Sequence, residues 1–348
     1  MRRVRLAADY EISRIIRGGW QLAAGHGATT SADPVADMIA FADAGVTAFD
    51  CADIYTGVEE EIGRFRLRYR AQRGQEALRR IRIHTKFVPD LDLLSRISKR
   101  DVERTIDRSL RRLNMDRLDL VQLHWWDYGV PGLMETAHWL EELREAGKIE
   151  LLGGVNFDAE RLRSVRQCAP LASVQIQYSL LDRRPEKTMI EAAAALSVRL
   201  LCYGSLAGGF LSDRWLGAAE PKGALPNRSL IKYRLIIEEF GGWDLFQGLL
   251  AALREVADRH GCDIATAASA AILNKPGVAA AIVGARDRAH LDANLRICSL
   301  ALTAEDVARI DRVLANAKEL PGEVYELERD RTGRHGAIMK YNLNAEVA

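Results

Sequence analysis

The chain has 348 residues, with 49 Lys and Arg against 48 Asp and Glu, for a formal net charge of +1. That length suits an α/β barrel, which usually needs about 250 residues and takes insertions well. The near-cancellation of charge excludes a whole-chain electrostatic footprint for nucleic acid or an anionic membrane, and the implied partner is a small molecule.

Along the chain, short apolar runs rich in β-formers alternate with stretches of helical spacing. The runs occupy 14–22, 46–50, 81–87, 118–125, 150–157, 172–178, 199–206 and 279–285. Between them the spacing predicts helices over 34–44, 59–70, 99–113, 132–146, 158–168, 185–196, 245–260 and 289–295, with a final one over 304–317. Asp33 before Pro34 reads as an N-cap followed by proline at the first helical position, and Gly45, Gly147 and Gly261 stand where helices end. Such alternation implies parallel strands joined by right-handed crossovers. Without GxGxxG after the first strand, eight units favour a closed (β/α)8 TIM barrel over a doubly wound sheet. No linker divides the chain, so 1–348 is read as one domain.

Two segments exceed the barrel. The stretch 211–244, rich in Gly, Pro and aromatics, is expected to be a lid loop, and 318–348 is an extended C-terminal tail. The arginine-rich run 64–82 reads as a solvated helix and loop rather than a polyanion site. Cys51, Cys168, Cys202, Cys262 and Cys298 are far apart and odd in number, which argues against a disulfide framework and a zinc site. The N-terminus has no apolar h-region, and no run of eighteen apolar residues occurs. The expectation is a cytoplasmic protein that engages neither membrane nor nucleic acid.

In a βα barrel the chemistry sits at the C-terminal ends of the strands. Three consecutive runs present titratable groups there: Asp50 with Tyr55 five residues on, then Lys86, then His124. Singly, each has an ordinary structural reading as a cap, a packed ring, a loop charge or a core histidine. Jointly, at one end of neighbouring strands, they define a candidate site. An ammonium about 4 Å from a phenol, at an effective dielectric of about 20, stabilises the phenolate by about 4 kcal/mol, roughly three pKa units. Lys86 is thus expected to make Tyr55 a usable acid, Asp50 to keep Lys86 charged, and His124 to hydrogen-bond a substrate oxygen. None of the four is a hydride source or a convincing nucleophile, and neither a metal-ligand cluster nor a GxSxG elbow occurs. Reducing power must come from a cofactor.

The motifs AGVTAFDCADIYTGVEEEIG (44–63), HTKF (84–87), RSLRRLNMDRLDLVQLHW (108–125), GGVNF (153–157), VQIQYSLLDR (174–183), YGSLAGGFL (203–211) and GARDRAHLDAN (284–294) resemble those of the aldo-keto reductases over nearly the whole chain. The resemblance implies a (β/α)8 barrel with an N-terminal β-hairpin, reversible hydride transfer between a nicotinamide cofactor and an aldehyde or ketone, and a catalytic tetrad on Asp50, Tyr55, Lys86 and His124. It places carboxamide contacts on Asn156 and Gln175, nicotinamide stacking on Tyr203, further cofactor contacts on Gly204, Ser205, Leu206, Gly284 and His290, and an adenine contact on Asn294. Val155, Ala293 and His290 depart from the residues common in the family at those places.

The segment from Gly284 to Arg286 is expected to open a helix whose N-terminus favours an anion, with Arg286 or Arg288 pairing a 2′-phosphate. NADP(H) is therefore preferred and NAD(H) is the alternative. Trp20, Trp125 and Trp126 match substrate-pocket positions, and Tyr128 follows closely. Such walls suit apolar, aromatic or sugar-ring carbonyl compounds. Other readings are an NAD-dependent alcohol or sugar dehydrogenase, and an NADP-binding regulatory subunit of the channel-associated kind with little turnover.

Overall fold

A computed structural model describes residues 1–23, 31–225 and 227–344. Strands β1 (Arg3–Ala7) and β2 (Tyr10–Ser13) form an antiparallel hairpin. Eight parallel strands follow: β3 (Ile15–Gly18), β4 (Ala48–Asp50), β5 (Arg82–Phe87), β6 (Leu118–Leu123), β7 (Ile149–Val155), β8 (Leu171–Gln177), β9 (Arg199–Tyr203) and β10 (Val278–Gly284). They pair in sequence order, and β10 pairs back onto β3, closing the barrel. The family's expected barrel and hairpin are both present.

The helices are α1 (Pro34–Asp43), α2 (Val58–Leu78), α3 (Lys99–Leu113), α4 (Leu133–Glu145), α5 (Ala159–Val165), α6 (Met189–Ala195), α7 (Arg228–Phe240), α8 (Trp243–Arg259), α9 (Ile264–Leu273), α10 (Leu291–Ser299), α11 (Ala304–Leu314) and α12 (Glu326–Arg329). Their ends follow capping chemistry. Asp33 accepts the Ala36 N–H at 3.0 Å beside Pro34, and Ser98 with Asp101 forms a capping box before α3. The strands are buried on both faces, as a helix-wrapped parallel sheet requires. Leu6, Tyr10 and Ile12 of the hairpin pack against Ile16, Ala48, Leu120 and Leu201 of the barrel. Arg82, which opens β5, stacks on Tyr10 with its guanidinium 4.5 Å from the ring centroid. The hairpin therefore plugs the N-terminal end and leaves the C-terminal end for chemistry.

Several expectations are corrected. The segment 211–244 is not a loop throughout, because it carries α7 and a short 3₁₀ turn over Asp213–Trp215; Pro226 lies outside the described residues. Asn227 caps α7 by accepting the Leu230 N–H at 2.9 Å, and Tyr233, Ile236, Ile237 and Phe240 face inward at helical spacing. Helix α9 is absent from the expected elements because IATAASAAIL is small and apolar on every face and has no amphipathic period. Helix α10 starts at Leu291, so Gly284 to Arg286 ends a strand and enters a turn rather than opening a helix. The tail turns back over the barrel mouth and forms α12; its residues 345–348 lie outside the described residues.

Candidate active site

A cavity of about 450 Å³ opens at the C-terminal mouth, and Asp50, Tyr55, Lys86 and His124 all line it. Their convergence follows from register. Asp50 is the last residue of β4 and pairs with His84, so Lys86 stands two residues further along the neighbouring strand on the same face. His124 follows the last residue of β6, and its N–H donates to Phe87 O at 3.0 Å.

Lys86 Nζ lies 2.6 Å from Asp50 Oδ2 and donates to Cys51 O at 2.7 Å, with both side chains about 95% buried. Asp50 Oδ1 accepts from Gln122 Nε2 at 3.2 Å and from Gln175 Nε2 at 2.7 Å. Burial alone would lower the Lys86 pKa, but Asp50 and Tyr55 more than offset it, so the ammonium sits above its ordinary value.

The ammonium lies 5.0 Å from the centroid of the Tyr55 ring, which also packs on Trp20 at 4.7 Å between centroids. Here the simple Coulomb expectation fails. Burial raises the Tyr55 pKa by more than Lys86 lowers it, leaving the phenol above its ordinary value. A phenolate in a closed pocket loses its hydration, and that loss outweighs the attraction of the neighbouring ammonium.

His124 lines the cavity; its Nδ1 is 3.2 Å from Val155 O, and its Nε2 is buried without a protein partner. Burial, and then the positive charge of Arg329, push its pKa down to about 3. A neutral ring beside a carbonyl that can only accept carries its proton on Nδ1, so Nε2 offers a lone pair.

The cavity extends from this group past Asn156, Gln175, Tyr203, Ser205 and Leu206 toward Gly284 and Arg286. Asn156 adopts φ +59° and accepts the Tyr203 hydroxyl on Oδ1 at 2.8 Å. Gly204 has φ +75° and lies so close to the Tyr233 hydroxyl that a Cβ would collide with it, so only glycine fits at this turn. Arg286 is exposed at the far end, whereas Arg288 turns toward Asp37, 3.9 Å away. His290 is exposed and Asn294 is buried with Nδ2 unpartnered, and neither lines the cavity.

Trp20 and Trp126 line the pocket, but Trp125 does not. Trp125 is fully buried beneath the entry to α4, where its Nε1 donates to Val130 O at 3.0 Å and its ring meets Gly132. The residue following a strand points to the opposite face from its neighbour, so His124 and Trp125 part company. Walls that sequence reasoning missed come from α7, with Lys232 and Tyr233, and from the tail, with Tyr325, Ile338 and Met339. The helical spacing after Asn227 could have found the first set. Nothing local marks the second, because the tail reaches the pocket only through long-range folding.

The tail is held by charge. Arg184 pairs with Asp182 at 2.7 Å and with Glu328 at 3.1 Å, all three deeply buried, and the partly exposed Lys232 reaches Glu328 at 3.2 Å. Burial would raise the Glu328 pKa, but Arg184 and Lys232 hold the carboxylate far below the usual range. Tyr325, at φ +62°, places its ring edge-on to His124 at 5.7 Å.

The closed barrel thus gathers carboxylate, ammonium, phenol and imidazole around one pocket at its C-terminal mouth. The sequence profile described as the Aldo/keto reductase family matches residues 14–315, and the chain belongs to this family of oxidoreductases. It is 30% identical to the aldo-keto reductase YhdN of Bacillus subtilis (strain 168) over 315 residues, covering 88% of this chain and 91% of that protein. It is 28% identical to the NADH-specific methylglyoxal reductase of Escherichia coli (strain K12), covering 67% of this chain and 69% of that one. The glycerol dehydrogenase AKR11B4 of Gluconobacter oxydans shares the fold with a TM-score of 0.75 at 24% identity, over 92% of this chain and 97% of that one. Among the described residues no cluster of three or more His, Cys, Asp or Glu could hold a metal, and no helix is long and apolar enough to cross a membrane.

Proposed function

We propose that the protein transfers a hydride reversibly between NADP(H) and an aldehyde or ketone, with Tyr55 as general acid and base. The observation that carries this reading is the Lys86 ammonium, fixed 2.6 Å from Asp50 and set against the Tyr55 ring at the wall of the cavity. A dinucleotide fits the residues present: one cavity is lined from Tyr55 and His124 past the amides of Asn156 and Gln175 and the Tyr203 ring to Gly204, Ser205, Gly284 and the Arg286 guanidinium. Asn156 and Gln175 would hold the carboxamide, Tyr203 the nicotinamide face, Gly204, Ser205 and Leu206 the phosphates, and Asn294 the adenine. When bound, the dinucleotide supplies or takes the hydride.

Tyr55 gives its proton to the carbonyl oxygen, and Lys86 stabilises the phenolate left behind. Asp50 keeps that ammonium charged through the cycle. His124 Nε2, as an acceptor, receives the hydroxyl of the alcohol once it has formed. Trp20, Trp126 and Tyr325 enclose the substrate end, which suits compact apolar or aromatic carbonyl compounds. We further propose that 211–244 and the tail act as covers over the cofactor and substrate ends, and that the protein works in the cytoplasm.

The NADP(H) preference rests on Arg286 at the cavity end. The NAD(H) alternative is favoured by Arg288 turning toward Asp37 and by His290 lying outside the cavity. Steady-state rates with NADPH and NADH over a panel of aldehydes, ketones, quinones and keto-sugars test both readings. Tyr55→Phe should cut turnover by about a thousandfold while dinucleotide affinity stays unchanged. Normal turnover in that variant would sink the mechanism.

A further inference from the structure

Arg329, the last residue of α12, reaches from the tail to the wall of the cavity. Its Nη2 donates to Asn156 O at 2.5 Å and to the Tyr128 hydroxyl at 2.6 Å. The guanidinium lies 4.0 Å from the centroid of the Tyr128 ring, against which Arg161 also packs at 4.5 Å. Asn156 holds φ +59°, a left-handed conformation that asparagine visits more readily than other residues with a Cβ, and its neighbours decide whether it stays there. The other backbone contacts here are already committed: Asn156 N–H donates to Gln175 O at 2.8 Å, and Val155 O takes the His124 ring. Arg329 is thus the charged group that fixes the remaining carbonyl of this turn.

We propose that Arg329 is a positioning residue for the nicotinamide end of the cofactor, a tail guanidinium that locks Asn156 in the geometry from which its carboxamide meets the ligand. This rests on the dinucleotide reading above. It makes the tail part of the binding machinery rather than a cover alone. Holding the tail down does not require Arg329. Glu328 is paired with Arg184 and Lys232, Lys187 Nζ donates to Leu320 O at 2.7 Å, and Asn344 Nδ2 donates to Val88 O at 2.9 Å. The same charge faces His124, where it opposes protonation of the ring.

The test compares NADPH with 2′-phospho-ADP-ribose, which carries the same adenine and phosphates and lacks nicotinamide, and NADH with ADP-ribose in parallel. Fluorescence titration of Arg329→Leu should show dinucleotide affinity reduced about tenfold, the loss expected for a charge-assisted hydrogen bond, with fragment affinity unchanged. Arg329→Lys, which keeps a donor and the charge, should recover part of the loss. Equal dinucleotide affinity in wild type and Arg329→Leu overturns the inference. So does an equal loss for dinucleotide and fragment, which would mark a general structural defect. Wild-type protein that binds neither dinucleotide nor fragment overturns the reductase reading itself.

Discussion

Lys86 and Asp50 form a buried ion pair, 2.6 Å from Nζ to Oδ2, at the junction of two neighbouring barrel strands. Removing one charge from such a pair leaves the other stranded in a medium that solvates it poorly. Lysine has an escape, because it can lose its proton. Asp50→Asn preserves the shape and an acceptor for the Gln122 and Gln175 amides. The expected outcome is therefore a modest loss of stability and a large loss of catalysis, as a neutral Lys86 no longer supports the Tyr55 phenolate. Turnover should fall about a hundredfold or more, read by steady-state kinetics alongside thermal melts. Wild-type turnover in Asp50→Asn would show that Lys86 holds its charge without the carboxylate.

His84 gives a prediction about pH. It is fully buried in the barrel with both ring nitrogens unpartnered, and burial, followed by Lys86 and Arg82, lowers its pKa from 6.5 to about 3. Between those values the unfolded chain takes up a proton that the folded chain refuses, so stability is lost as pH falls from about 6.5 toward about 3. His124 adds a second contribution of the same sign in the same window. His84→Leu should flatten the dependence of unfolding free energy on pH there by about one proton, or about 1.4 kcal/mol per pH unit, measured by denaturant titration at several pH values. An unchanged slope would mean that His84 is hydrated and titrates normally.

How far the site can be read without coordinates depends on the kind of contact that builds it. Asp50, Lys86 and His124 are legible because strand ends in a barrel share one mouth, so adjacency in sequence order becomes adjacency in space. Trp125 misleads for the same reason turned around: one step past His124 the side chain belongs to the opposite face. Helix α7 hides in a stretch whose glycines and prolines suggest a loop, although Asn227 and the spacing through Phe240 carry a helix signal. Arg329 and Tyr325 are illegible, because nothing near them in sequence says which pocket, two hundred residues upstream, the tail will reach. The raised Tyr55 pKa is missed too, since a pair of charges can be inferred from sequence but the depth of their burial cannot.

Asp53 opposes the histidines. Its carboxyl is buried, accepts the Val88 N–H at 3.2 Å and lies 3.7 Å from Arg108. Burial, with the Glu59 charge, outweighs Arg108 and raises its pKa from 3.8 to about 8. Here the folded state binds the extra proton, so stability falls as pH rises from about 4 to about 8. Asp119, raised to about 6, acts in the same sense over a narrower range. Asp53→Asn keeps the acceptor for Val88 and removes the titration, so the variant should gain stability relative to wild type at pH 8 and not at pH 4. Chemical denaturation at both pH values checks this, and an equal effect at the two would show that the native carboxyl is ionised throughout.

The Glu328 carboxylate joins the tail to the barrel through Arg184, and to α7 through Lys232. Glu328→Gln keeps the size and removes the charge that Arg184 and Lys232 share. Arg184 retains Asp182, but Lys232 loses its only ion pair among the described residues, and it lines the cavity. Loss of one partner from a buried network costs about 3 kcal/mol, and the cost should be local because the barrel core is built from separate contacts. The tail should therefore become susceptible to limited proteolysis while the barrel resists. Substrate KM should rise more than dinucleotide affinity falls, since Tyr325, Ile338 and Met339 leave the pocket with the tail. A tail that stays protease-resistant in Glu328→Gln would place its anchorage in the apolar contacts of Tyr325 and Tyr341 instead.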